Sequence, residues 1–262
     1  MRFILNEFDR ISNDAAERHT YLTNALVSKS KEEMSDPFAF SPKRVRTVKN
    51  ELVGIAQRGL ETEHEQVGIL MEMMSKNARE TAFYHLGILD TQNDSKTLRD
   101  ALKASHEAST SYLSSEITSQ VNRDVNQVIR TYRNASLRVL MNMDASGMSR
   151  AEASKVVLME EIRTKNKLFF TDRRGRKISS DLHIRRTWRE TLRDHWVKVY
   201  LHVLSSNGVS QAMLWHPDTQ HEFYGVVLSL TEPDYGIENA DRAFHPNSRA
   251  LPVALEFMEA AA

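Results

Sequence analysis

The sequence predicts a mostly α fold: an N-terminal long-helix bundle followed by a small α+β domain with a short antiparallel sheet. Three observations carry this. Only Pro37 and Pro42 precede residue 217, so most of the chain lacks the strongest helix breaker. Apolar residues recur every three or four positions through most of the chain up to Leu204. Runs dense in β formers come late, at residues 211–215 and 224–230.

Taken in order, residues 2–30 carry Leu5, Phe8, Ile11 and Ala15 near helical spacing, which predicts a first helix. SDPFAFSP at 35–42 breaks the pattern and is expected to be a loop. Ser41 before Pro42 marks the next start, since serine caps free amides and proline loses nothing in a first turn. From Val45 to about Leu89 a stripe of Val48, Leu52, Ile55, Val67, Leu70, Met74, Leu86 and Leu89 predicts a long helix, with an interruption expected near Gly59 or Gly68. TQNDSK at 91–96 supplies a turn and a new cap. Leu98, Leu102, Ile117, Val121, Val125, Val128 and Tyr132 mark another long stripe, which the Ser/Thr-rich stretch 105–119 weakens. Gly147 suits a left-handed helix end, and Ser149 with Glu152 forms a capping box for the following helix. The division is therefore placed there: a long-helical assembly region at 1–147 and a small α+β domain at 148–262.

Composition narrows the function classes. The 262 residues, 40% of them hydrophobic, suffice for a substantial core. Thirty-five basic residues balance thirty-five acidic ones, so no net field draws the molecule to DNA or acidic membranes. With no cysteine there is no disulfide framework and no thiolate metal site, which fits a protein made in a cytoplasm. The apolar run Phe3–Leu5 is too short for a signal peptide, and no stretch reaches the ~20 apolar residues of a membrane span, so no membrane association is expected. Helical stripes most often mean helices packing on each other. Length tilts the reading toward assembly, because helices of ~40 residues run ~60 Å. Met71, Met73 and Met74 suit either core gap-filling or an adaptable contact surface.

Charge is local. Between Arg163 and Arg193 eleven Lys or Arg stand against three acids. TDRRGRK at 171–177 reads as an exposed turn through Asp172 and Gly175, followed by Arg185 and Arg186 on a helix over 181–204. Its inward stripe is Leu182, Trp188, Leu192, Trp196, Val199 and Val203. Arg173, Arg174, Arg176, Lys177, Arg185 and Arg186 are thus candidates for contact with phosphates or an acidic partner; the alternative is a solvated turn with arginines paired to nearby acids. SSNG at 205–208 ends the helix, and strands over 211–215 and 224–230 follow. The tail is expected to be loop-rich.

Over residues 146–252 the chain resembles the head morphogenesis or minor capsid proteins of tailed bacteriophages, the group that includes the Mu F-like and portal-associated head proteins. FTDRRGRKISSDLHIRRT at 170–187 resembles the family's aromatic-x-Asp-x-x-Gly-Arg turn leading to a helix with Arg-Thr, here through Asp172, Gly175 and Thr187. Residues 207–215 resemble its Gly-then-strand at Gly208. HPDTQHEFYGVVLSL at 216–230 is similar to its Cys-Pro-x-Cys loop, glycine and strand, with Gly225 as the glycine. FHPNSRALP at 244–252 is similar to its closing HPNCR, through His245, Pro246, Asn247 and Arg249, and SGMSRAEA resembles the lead-in to a preceding helix. The order and spacing of these pieces carry the resemblance.

The resemblance implies a low-copy virion component in the capsid interior near the portal, aiding head assembly and DNA packaging or ejection. Its implied partners are portal and/or major capsid protein, packaged double-stranded DNA, and other copies of itself. It implies no enzyme and no cofactor. Where the family often carries three cysteines this chain has His216, Thr219 and Ser248, and Ala250 follows Arg249. His216, Asp218, His221 and His245 are the donors a zinc ion would have to use, but histidine-rich loops more often serve as polar surface, so no metal is expected. Asn247 and Arg249 are expected to bond loop carbonyls or carboxylates, making HPNSR a structural clasp. Two other classes compete. An internal protein ejected with the DNA would share the long helices. A metal-dependent nuclease or hydrolase would use His183, His195, His202, His216, His221 or His245 with Asp218 or Glu222, yet no spacing enforces a pair, and phosphate-binding glycine loops, HExxH and GxSxG are lacking.

Overall fold

A computed structural model describes residues 1–36, 41–88, 94–163, 167–236, 243–244 and 248–255. The fold is mostly α, 75% helical, and ends in a small mixed region with two short antiparallel sheets. The helices are α1 (Arg2–Met34), α2 (Pro42–Leu86), α3 (Lys96–Ser146), α4 (Arg150–Arg163) and α5 (Ser180–Ser206). The strands are β1 (Phe169–Thr171), β2 (Lys177–Ser179), β3 (Gln211–Trp215), β4 (Val227–Ser229) and β5 (Leu251–Ala254). Among the described residues no helix is long and apolar enough to cross a membrane.

The helix starts follow the local chemistry. Ser41 Oγ accepts the Arg44 amide at 3.2 Å, and Ser95 Oγ accepts the Leu98 amide at 3.1 Å. At α4 the capping box closes reciprocally: Glu152 N donates to Ser149 Oγ at 3.3 Å, and Ser149 N donates to Glu152 Oε2 at 2.9 Å.

One expectation about the helices is corrected, the break in α2; the long helix expected after it holds. α2 runs without interruption through Gly59 and Gly68. A Cβ at Gly59 would lie 2.8 Å from both Leu22 methyls, so the glycine there admits α1 closely and does not break α2. α3 likewise passes through the Ser/Thr-rich stretch, because Leu113, Ile117 and Val121 are each at most 1% exposed and their packing outweighs weak local propensity.

The chain divides into two compact units, each discontinuous in sequence. Unit 1 comprises Met1–Asn13, Glu65–Ser114 and Arg186–Ala262; unit 2 comprises Asp14–His64 and Ser115–Arg185. In unit 1 Phe8, Met71, Met74, Trp188, Leu192, Trp196 and Tyr200 form the core. The Trp196 ring stacks on Tyr200 at 4.9 Å, and its Nε1 donates to Asn77 Oδ1 at 2.8 Å, which satisfies the one polar atom of the indole. Met73 is 37% exposed, so two of the three neighbouring methionines fill the core and one does not. In unit 2 Leu26, Met34, Leu52, Val121, Val128, Tyr132 and Val157 are buried. There the buried Glu33 carboxylate accepts from Lys29 Nζ at 2.8 Å and from Arg44.

The strands depart further from expectation. β3 pairs antiparallel with β4 and with β5, in the order β4-β3-β5. β4 is shorter than the expected 224–230: Gly225, at φ +81°, donates its amide to Leu214 O and turns the chain before pairing begins. β5 was expected to be loop. All four of its residues are buried, and Pro252 is tolerated because β5 flanks β3 on one side only. In unit 2 β1 and β2 form a second antiparallel pair, Phe169↔Ser179 to Thr171↔Lys177, around the turn that the sequence marks.

Candidate functional site

The β1–β2 turn is organised by one carboxylate. Asp172 Oδ1 accepts the amides of Arg176 at 2.8 Å and Arg174 at 2.9 Å, and Oδ2 accepts Arg176 Nε at 2.7 Å. These donors, the Arg176 amide foremost, hold Asp172 below the usual carboxylate pKa. Gly175 supplies the φ of +77° that closes the turn. The consequence is a division of labour among the basic residues. Arg176 is engaged by Asp172, and Lys177 lies over the Phe169 ring at 4.4 Å. Arg173 and Arg174 are exposed and form no ion pair among the described residues, so their guanidiniums remain open to an external anion. Behind the turn Phe170 stacks on His183 at 4.0 Å, and the Arg123 guanidinium lies 4.9 Å from the centroid of the same phenyl ring.

Farther along, Arg185 and Arg186 are exposed on α5; Arg185 closes unit 2 and Arg186 belongs to unit 1. Thr187 is buried. The remaining arginines of the basic segment within unit 1 turn inward. Arg189 Nε reaches Asp9 Oδ1 at 2.8 Å. Arg193, 2% exposed, donates to the carbonyls of Ala243 at 3.1 Å, Phe244 at 3.3 Å and Ala250 at 3.1 Å, and burial brings its pKa down to about 10. It therefore clasps the closing segment from both sides of the HPNSR run. His245, Pro246 and Asn247 lie outside the described residues. Arg249 approaches Asp9 Oδ2 at 3.4 Å. Gly208 ends α5 at φ +83°.

The histidine loop is held by stacking. His216 and His221 lie face to face with ring centroids 3.9 Å apart, and His216 Nδ1 accepts the Asp218 amide at 3.1 Å. Burial lowers the His216 pKa. Among the described residues no group of three or more His, Asp or Glu gathers as a metal set.

One constellation carries no sequence signal. In unit 2 His19, Gln120, Asp124 and Ser180, all at most 2% exposed, form a closed network. Ser180 Oγ donates to Asp124 Oδ2 at 2.6 Å, Gln120 Nε2 donates to Asp124 Oδ1 at 2.9 Å, and His19 Nε2 lies 2.9 Å from Asp124 Oδ2 and 2.7 Å from Ser180 Oγ. The serine proton is committed to Asp124, so Nε2 meets only lone pairs and must carry the hydrogen. A nucleophilic triad places serine and carboxylate on opposite ring nitrogens. Here both share Nε2 in the buried interior, an arrangement that joins α1, α3 and the start of α5 within unit 2 and leaves no activated hydroxyl. No family model, no curated protein and no solved structure matches the chain.

Proposed function

We propose that this chain is a minor head protein of a tailed bacteriophage: a low-copy, non-enzymatic component of the capsid interior near the portal that aids head assembly and DNA packaging or ejection. The observation that carries the reading is the order of five family-like segments over residues 146–252. The geometry of the segment at 170–187 supports a contact role. Asp172 stiffens the turn from within, and the two unengaged arginines at its tip form a preorganised contact for phosphates of packaged DNA or for carboxylates on the portal or major capsid protein. Arg185 and Arg186 add positive charge on α5. Stacked and amide-bonded, the histidines of the 216–221 loop serve structure, which supports a role without catalysis.

Mass spectrometry of purified heads tests the assignment, together with capture of the portal subunit by the purified chain. The expected result is a few copies per particle and retention on the portal. A chain absent from heads that also fails to bind portal overturns it. Loss of the protein from particles after DNA release would place it among ejected internal proteins. For direct DNA contact, Arg173→Ala with Arg174→Ala should weaken duplex binding and reduce the slope of log K against log salt by about 0.9 for every phosphate left without its arginine.

A further inference from the structure

Exposed large hydrophobic side chains are not spread evenly. Among the described residues seven of fifteen fall between Leu137 and Ile162, at the end of α3, in the link that follows it and along α4. α4 buries Ala153, Ser154, Val157 and Glu161 on one face. The opposite face exposes Glu152, Val156, Met159 and Arg163, with Val156 39% and Met159 56% exposed. These four positions follow the spacing i, i+4, i+7, i+11, which lines up as a single seam along about 17 Å of helix. Soluble helices normally keep such a seam polar.

The order along the seam is acid, apolar, apolar, base, and this order is complementary to itself when reversed. We propose that α4 is a two-fold interface between two copies of this chain, the helices running antiparallel. In that arrangement Val156 of each copy meets Met159 of the other, and Glu152 of each meets Arg163 of the other. Parallel pairing would instead bring Glu152 against Glu152 and Arg163 against Arg163, closing both ends of the apolar centre with like charges. Both charged groups are available. Arg163 forms no ion pair among the described residues, and the capping box engages only Oε2 of Glu152, leaving Oε1 to accept. A single helix seam lies at the small end of specific interfaces, so association in the micromolar range is expected.

Sedimentation of the full chain across about 1–300 µM tests this. A concentration-dependent dimer is expected, abolished by Val156→Asp with Met159→Asp at unchanged far-UV circular dichroism, and weakened about five- to tenfold by Arg163→Glu. The chain contains no cysteine, so introduced thiols report orientation directly. Mixing Val156→Cys and Met159→Cys chains under mild oxidation should form the mixed disulfide several-fold faster than either homodisulfide. A chain that stays monomeric throughout, a dimer that survives the double aspartate variant, or homodisulfides that form faster than the mixed one would overturn the proposal. Monomeric chain whose α4 seam instead binds portal subunit, with binding abolished in the same aspartate variant, would assign the face to another occupant and equally overturn it.

Discussion

Asp124 accepts hydrogen bonds from Ser180 and Gln120, and from the His19 ring nitrogen, all of them buried away from any solvent that could replace it. Removing the carboxylate strands the buried Ser180 hydroxyl proton and leaves Gln120 Nε2 and His19 Nε2 only the Ser180 oxygen, 2.8 and 2.7 Å away, to donate to. Asp124→Ala is therefore expected to destabilise the protein by about 3 kcal/mol, with Asp124→Asn milder; urea denaturation measures both, and a loss below about 1 kcal/mol would show the network to be incidental. Nothing in the sequence announces this site, because His19 lies 105 positions from Asp124 and 161 from Ser180, and each is an unremarkable polar residue in a helical stripe. Asp172 is the opposite case. Its partners are two and four residues away, so the turn is legible directly in TDRRGRK. Which of the neighbouring arginines stay open is not legible there, since that depends on where Asp172 points. Arg193 shows the same limit: it counts as surface charge in the sequence and proves to be the buried donor that gathers the closing segment.

The helices illustrate how differently two glycines in one element behave. Gly68 has nothing within 4 Å of where a Cβ would stand, so Gly68→Ala should stabilise α2 by about 1 kcal/mol through the entropy that glycine costs a helix. At Gly59 the same change places a methyl against Leu22, and the crowding should cancel the gain or reverse it, by about 1–3 kcal/mol. Thermal unfolding of the two variants side by side checks the order. Both glycines look like breaks in the sequence because propensity is local and the neighbour that decides the matter is on another helix. Helix starts are legible for the same reason: Ser41, Ser95 and Ser149 act on amides three residues on. The strands are less so. β1, β2 and β4 have three residues each, too few for alternation to register, and β5 carries a proline that reads as punctuation unless its one-sided pairing is known.

Acid should loosen unit 1 through its buried histidines. His85 and His195 are both brought down to about 4, chiefly by burial, and His85 Nδ1 accepts the Tyr200 hydroxyl at 2.6 Å while that oxygen takes the Ala254 amide at 3.0 Å. The ordinary histidine value is 6.5, so between pH 6.5 and 4 the unfolded chain binds protons that the folded chain refuses. Stability is full above that window and declines as pH falls through it. Burial raises Glu190 and Asp194, which gives an opposing effect at its acid end. Unfolding free energies measured across the window should fall toward acid, and His85→Gln should flatten the slope; a flat profile in the wild-type chain would contradict the burial. The discontinuity of the two units has a further consequence, for the order of events during synthesis. Every residue of unit 2 has been made once Arg185 is added, whereas unit 1 joins residues 1–13 to a strand at 251–254. A ribosome must therefore translate through residue 254 before the Tyr200 oxygen gains the Ala254 amide and the free side of β3 finds its partner. Until then the nascent chain carries an open sheet edge, the state most exposed to mispairing and most in need of a chaperone.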